Sequence, residues 1–284
     1  MSTHPRRVRQ IVRGLDTSDG AGVRLRRSLG IPELEMLDPF LLLDEFKSDQ
    51  SDDYIAGFPD HPHRGFETVT YMLAGSMEHR DHHGHQGNLV AGSVQWMTAG
   101  RGIVHSEMPR QSEGLMWGFQ LWVNLPARDK MCAPRYQEFP PDAIPEVEAP
   151  GGGRIKVIAG EAGGVTGAVA GIVTRPLYLD VALPASARFE QALPEGHSAG
   201  LYVFEGGCEA LSGGGAAEVE AGCLAVLEHG DAVEVQAGAA GARFLLLAAE
   251  PVGEPVARYG PFVMNTREEI QQAVRDYQNG KFTG

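Results

Sequence analysis

The stretch His61-Pro62-His63-Arg64-Gly65-Phe66-Glu67-Thr68-Val69-Thr70-Tyr71 sets two histidines two residues apart just ahead of a strongly β-prone run. A second pair with the same spacing follows at His105-Ser106-Glu107. On a strand, residues two apart point to the same face. Two such strands facing each other across a small barrel would aim three imidazoles and one carboxylate at one point. That donor set suits one divalent first-row transition metal, with Fe(II), Mn, Ni, Cu, Co and Zn as candidates. Pro62 removes a ladder donor, so its strand belongs at an edge or begins there.

Length and composition frame this reading. A chain of 284 residues makes one large or two medium domains. Apolar residues at 43% suffice for ordinary cores, and a net charge of -13 argues against direct nucleic-acid binding. Arg6, Arg7, Arg9, Arg13 and the group Arg24, Arg26, Arg27 are local basic exceptions. The alternation Arg7-Val8-Arg9-Gln10-Ile11 reads as an edge strand whose outer charges discourage further pairing. Three cysteines without a CxxC pair point to a reducing, cytoplasmic compartment. No apolar run approaches the ~20 residues of a membrane span, and no signal-peptide apolar region follows the first arginines.

Thirty-seven glycines and eighteen prolines cut the chain into short apolar runs, the pattern of an all-β protein. Strands are expected at 6–13, 22–29, 40–46, 66–73, 77–81, 89–97 (broken at Gly92), 103–108 and 115–125. Prolines 126, 134, 140, 141, 145 and 150 suggest a linker that ends at Gly151-Gly152-Gly153. The β pattern then resumes at 154–160, 177–183, 200–205, 224–227, 232–236 and 243–249. Near the end, Thr266-Arg267-Glu268-Glu269 is a capping box opening a helix over 266–279. Ile270, Ala273, Val274 and Tyr277 share one face of it, and Gly280 can close it. Two tandem barrels follow, 1–135 and 136–284, the first carrying the metal and the second carrying the helix.

The opening stretch, together with Gln95-Trp96-Met97-Thr98-Ala99-Gly100-Arg101-Gly102-Ile103-Val104-His105-Ser106-Glu107, resembles the pirin family of the cupin superfamily. So do Gln120-Leu121-Trp122-Val123-Asn124-Leu125-Pro126 and Gly260-Pro261-Phe262-Val263-Met264-Asn265-Thr266. The resemblance implies two cupin (jelly-roll type) β-barrels with a C-terminal helix. It also implies one metal, usually iron, held by His61, His63, His105 and Glu107, and a metal-free second barrel, whose only histidines are His197 and His229. Glu67 shares strand parity with the first pair, but lies roughly 13 Å from His63 along an ideal strand, so it is read as a pocket residue. His79, His82, His83 and His85 are read as a solvated hairpin turn, with an adventitious Zn or Ni site as the alternative. Phe40, Phe46, Phe66, Trp96 and Met97 are candidate pocket walls.

The resemblance further implies a quercetin 2,3-dioxygenase (flavonol 2,4-dioxygenase) reaction. A small phenolic or enol substrate and O2 react with ring opening and loss of carbon monoxide, and Glu107 serves as both ligand and catalytic base. A second implied reading is a metal- or redox-gated regulator that binds a partner protein, a transcription factor or a metabolic enzyme, without turnover. The expected state is a monomer with no membrane association.

Overall fold

The computed structural model describes residues 4–149 and 151–283; Pro150, last of the linker prolines, lies outside them. Strands dominate, with one α-helix among the described residues, Arg267–Gln278. Among the described residues no helix is long and apolar enough to cross a membrane. The chain divides into two compact units that are interleaved in sequence. One comprises Asp16–Gly30, Phe40–Pro141 and the segment from Val252 onward. The other comprises the residues up to Leu15, Ile31–Pro39 and Asp142–Pro251.

The compact units do not follow contiguous stretches of sequence, and strand pairing supplies the reason. Val8–Arg13 forms the edge of the nine-stranded sheet, pairing Ile11 with Ala225 on the strand Cys223–Leu227. Arg6 just before it is 2% exposed and donates to the carbonyls of His197 and Pro194, so it is no solvent-facing basic arm. The expected linker is partly strand as well. Arg135–Phe139 pairs with Val94–Thr98, and Glu146–Ala149 pairs with Gly153–Ala159.

The unit bearing the histidines has two main sheets. The seven-stranded one runs in the order Arg135–Phe139, Val94–Thr98, Phe66–Ala74, Met116–Asn124, Phe40–Ser48, Val23–Leu29, Leu15–Asp19. The four-stranded one runs Phe58–His63, Ile103–Pro109, Ser76–Asp81, Gln86–Val90. Gly92, at φ +89°, separates two strands that the sequence presents as one interrupted run.

The other unit contains two long strands, Ser198–Ser212 and Ala232–Ala249, each longer than the short runs read from sequence. They bend without breaking where Gly206 (φ +67°) meets Gly241 (φ +81°), so local glycine signals mark a kink and not an end. Leu179, Val181, Leu201, Val203, Phe244 and Leu246 form the centre of its apolar core.

The helix carries its capping box as read: Thr266 accepts from the Glu269 N–H, and the Glu269 carboxylate accepts from the Thr266 N–H. Ile270 and Ala273 are buried against Phe262, Met264 and Phe282. Tyr277 departs from the expected buried face, being 42% exposed while its ring edge meets Phe282.

The turn Arg64-Gly65 passes the chain from the four-stranded to the seven-stranded sheet. Gly65 has φ +89°, and a Cβ there would collide with the Val263 carbonyl. Its own carbonyl accepts from the buried Lys130 ammonium at 2.7 Å, which also reaches Asn124 Oδ1 at 2.7 Å and the Val263 carbonyl at 3.0 Å. All three tryptophans belong to this unit, so their fluorescence reports its unfolding. Gly65→Ala is expected to cost roughly 2–4 kcal/mol in urea denaturation followed by that fluorescence. Gly84→Ala, at φ +87° with open space around the added Cβ, carries backbone strain alone and is expected to cost roughly 1 kcal/mol.

Candidate metal centre

The two signature segments become neighbouring antiparallel strands. Phe58–His63 pairs with Ile103–Pro109 so that His105 lies opposite His61, and Ile103 opposite His63. A bulge between His105 and Glu107 shifts the register, setting Glu107 opposite Phe58. Such an insertion re-aims the residue after it. His61, His63 and His105 each bring a ring nitrogen to within 4.8 Å of the others. His61 Nε2 lies 2.9 Å from His63 Nε2, and His61 Nδ1 lies 2.8 Å from the Pro59 carbonyl.

Glu107 is buried beside this cluster and stands outside that 4.8 Å group. Its carboxylate accepts from Thr70 Oγ1 at 2.8 Å and from Gln120 Nε2 at 3.1 Å. Both donors come from the seven-stranded sheet, where Thr70 pairs with Gln120. His61, His63 and Glu107 line one cavity of about 530 Å3. Leu25, Leu42, Phe46, Phe58 and Trp122 supply its apolar wall. Arg27 and Arg258 also border it. Arg27 is bound twice by Asp44 at 2.7 Å and once by Asp19 at 2.7 Å, whereas Arg258 lies 4.7 Å over the Trp122 ring.

The electrostatics suit cation binding. Burial, then the neighbouring His61, hold the His63 imidazole well below the ordinary histidine value. Burial, then His63, His61 and His79, do the same to His105. Both rings are therefore neutral near pH 7, the form that ligates metals. Burial pushes the Glu107 carboxyl up, against the pull of His61, Thr70 and Gln120. His105 Nε2 and His63 Nδ1 are buried without a hydrogen-bond partner among the described residues. Buried polar atoms of this kind call for a partner, and a transition-metal ion fits the three converging imidazoles.

Glu67 does not join the cluster. Strand parity carried from His63 to Glu67 fails because Gly65 turns the chain between them. Along Phe66–Ala74 the side chains of Phe66 and Thr70 reach the site: Phe66 packs 5.1 Å from His63 and Thr70 binds Glu107. Glu67, on the opposite face, is bound by Thr98 Oγ1 at 2.6 Å. Of the candidate pocket walls, Phe46 lines the cavity and Phe66 touches His63. Phe40, Trp96 and Met97 are buried in the core.

The histidine-rich turn also divides. His82, His83 and His85 are exposed, and the His85 ring meets Asp81 Oδ2 at 3.0 Å. His79 is fully buried, not solvated. It pairs with Glu107 across the sheet, and its Nδ1 lies 3.3 Å from His105 Nδ1. The period-2 pattern Met77, His79, Asp81 was the available signal for it. Trp122, Thr70, Gln120 and Arg258 have no such local signal, because they reach the site from distant strands.

The Pirin family profile matches residues 22–123, and the Pirin C-terminal cupin domain matches residues 178–283. A pirin-like protein of Caulobacter vibrioides is 54% identical over 278 residues, covering 98% of this chain and 99% of that protein. Pirin of Homo sapiens is 47% identical over 268 residues, covering 94% of this chain and 90% of its own. The crystal structure of quercetin 2,3-dioxygenase from Acinetobacter baumannii superposes with a TM-score of 0.89 at 33% identity, covering 98% of each chain.

His79 offers a pH test away from any change in the donor set. Burial lowers its pKa to about 4, against the opposing charge of Asp81. Unfolded, it takes a proton near pH 6.5; folded, it stays neutral until about pH 4. The unfolded chain thus binds more protons in that window, and stability falls as pH falls through it. The drop in melting temperature of metal-free protein between pH 7 and 5.5 is expected to be smaller in His79→Phe than in wild type.

Proposed function

The chain belongs to the pirin family, whose fold is a bicupin, and on that footing we propose that it is a mononuclear metal-dependent dioxygenase of flavonol-type, quercetin-like substrates. One observation carries this reading: three imidazoles converge to within 4.8 Å of one another, and two of them, His61 and His63, border with the buried Glu107 a single cavity with an aromatic wall. The proposed ligands are His61, His63, His105 and Glu107. A metal held there, Fe(II) by preference, would supply a Lewis acid for the substrate oxygens and a redox partner for O2.

The chain's own residues do the rest. His63 and His105 are kept uncharged by burial, so no proton competes for their lone pairs near neutrality. Glu107 binds a proton more readily than an exposed carboxylate, because burial disfavours its charge. That equips it to take the proton of a substrate enol hydroxyl. Thr70 and Gln120 hold its two oxygens in place for that role. Trp122 packs tilted against Phe66 at 4.4 Å and stands 5.3 Å from His63, giving a planar ring an apolar surface beside the imidazoles. Leu42, Phe46 and Phe58 extend that apolar surface along the cavity. The overall reaction inserts both atoms of O2, opens the central ring and releases carbon monoxide.

Metal analysis paired with oxygen uptake on quercetin tests the proposal. Wild type is expected to hold one metal per chain and consume O2, and His61→Ala to lose the metal. Glu107→Gln is expected to lower kcat by roughly 100-fold or more, since it removes a proton acceptor. Metal-loaded wild type that consumes no O2 with quercetin would sink the dioxygenase reading while leaving the metal site standing.

A further inference from the structure

Arg64, the residue after His63, is 4% exposed. Its guanidinium donates to the carbonyl of Arg101, to Asp276 Oδ2 at 2.6 Å and to the Phe282 carbonyl at 3.2 Å. It also lies 4.4 Å over the Phe282 ring. Its backbone is bound as well: the Arg64 N–H donates to the Pro261 carbonyl at 3.3 Å, and the Val263 N–H donates to the Arg64 carbonyl at 3.0 Å. The next N–H, of Gly65, donates to the Gly100 carbonyl at 2.8 Å.

These contacts join three places that matter to the imidazole cluster. Arg64-Gly65 is the exit of the strand carrying His61 and His63. Gly100-Arg101-Gly102 is the entry to the strand carrying His105. Asp276 and Phe282 belong to the C-terminal helix and the residues after it. Phe282 is 3% exposed and presses on Gly102, where an added Cβ would come within 2.5 Å of its carbonyl. The helix buries its apolar face on Phe262, Met264 and Phe282. A buried guanidinium is costly to desolvate, and the partners that offset this cost also fix it in space. Its directional bonds hold the two turns at one separation, which apolar packing alone would not do.

We infer that the C-terminal segment is a working part of the metal centre: Asp276 and Phe282, acting through Arg64, are positioning residues that set the spacing of His63 and His105 and so the affinity for a divalent metal. This rests on the metal-binding reading proposed above. The segment contributes no donor atom to the cluster; its effect is on how well the donors already present converge. Partners behind metal ligands change affinity by roughly 10–100-fold when removed. Acting one residue further back, Asp276 is expected at the lower end, about tenfold.

The test is a Zn(II) titration of the full chain in competition with a chromophoric chelator, run beside thermal melting of the metal-free protein. The variants are Asp276→Asn and Phe282→Leu. Glu250→Gln, which breaks the Arg175–Glu250 pair (2.7 Å) of the other unit, is the control. Asp276→Asn and Phe282→Leu are expected to weaken Zn(II) binding about tenfold, with Asp276→Glu restoring part of it and Glu250→Gln leaving it at the wild-type value. Wild-type affinity in both variants, even with a lowered melting temperature, overturns the inference and reduces Arg64 to an anchor of the tail. Equal weakening in Glu250→Gln overturns it too, as a general stability effect. Should Asp276→Asn not fold, Phe282→Leu carries the comparison. A wild type that binds no Zn(II) removes the metal site itself, a result distinct from both.

Discussion

The antiparallel register that sets His105 opposite His61 is the constraint on which the site depends. Side chains directly across an antiparallel ladder lie within contact distance. Pairing these two residues therefore brings imidazoles from distant sequence positions together without any loop having to hold them. His63 joins because it is two residues along the same strand. The bulge after His105 then keeps Glu107 on the cavity while moving it against Thr70 and Gln120 of the facing sheet. A slip of one residue would turn each of these side chains to the other face.

The price of this arrangement is desolvation. His63, His105 and Glu107 are buried, and the two buried rings respond by staying neutral. His79 behind them does the same. Charge is compensated elsewhere on the cavity rim, where Arg27 bridges Asp19 and Asp44. The cavity has an apolar wall of Leu25, Leu42, Phe46, Phe58 and Trp122, with His63 and the Arg27–Asp19–Asp44 cluster also bordering it.

Backbone constraints hold the register in place. Gly65 occupies a left-handed conformation hard against the Val263 carbonyl, a position no side chain can share. The buried Lys130 ammonium, lowered to about 8 by burial, ties Gly65, Asn124 and Val263 together through three acceptors. Segments from the middle and the end of the chain thus converge on the turn that leaves the strand carrying His61 and His63. The same convergence makes the compact units interleaved, since Val252 onward belongs with the histidine-bearing strands.

Much of this was legible in the sequence, and the parts that were share a physical character. Strand runs punctuated by glycine, the paired His-x-His and His-x-Glu spacing and the Thr266 capping box all act over a few residues, so local chemistry determines them. What only the tertiary structure decided depends on which strands pair. Val8–Arg13 joins a distant sheet, a tract that reads as proline-rich linker supplies the strands Arg135–Phe139 and Glu146–Ala149, and two long strands run on through their glycines because neighbours support the bend. Glu67 leaves the site because one left-handed glycine resets the parity that a straight strand would have kept. His79 enters it because the strand behind the turn is buried, and exposure is a property of the packed sheet rather than of the residue.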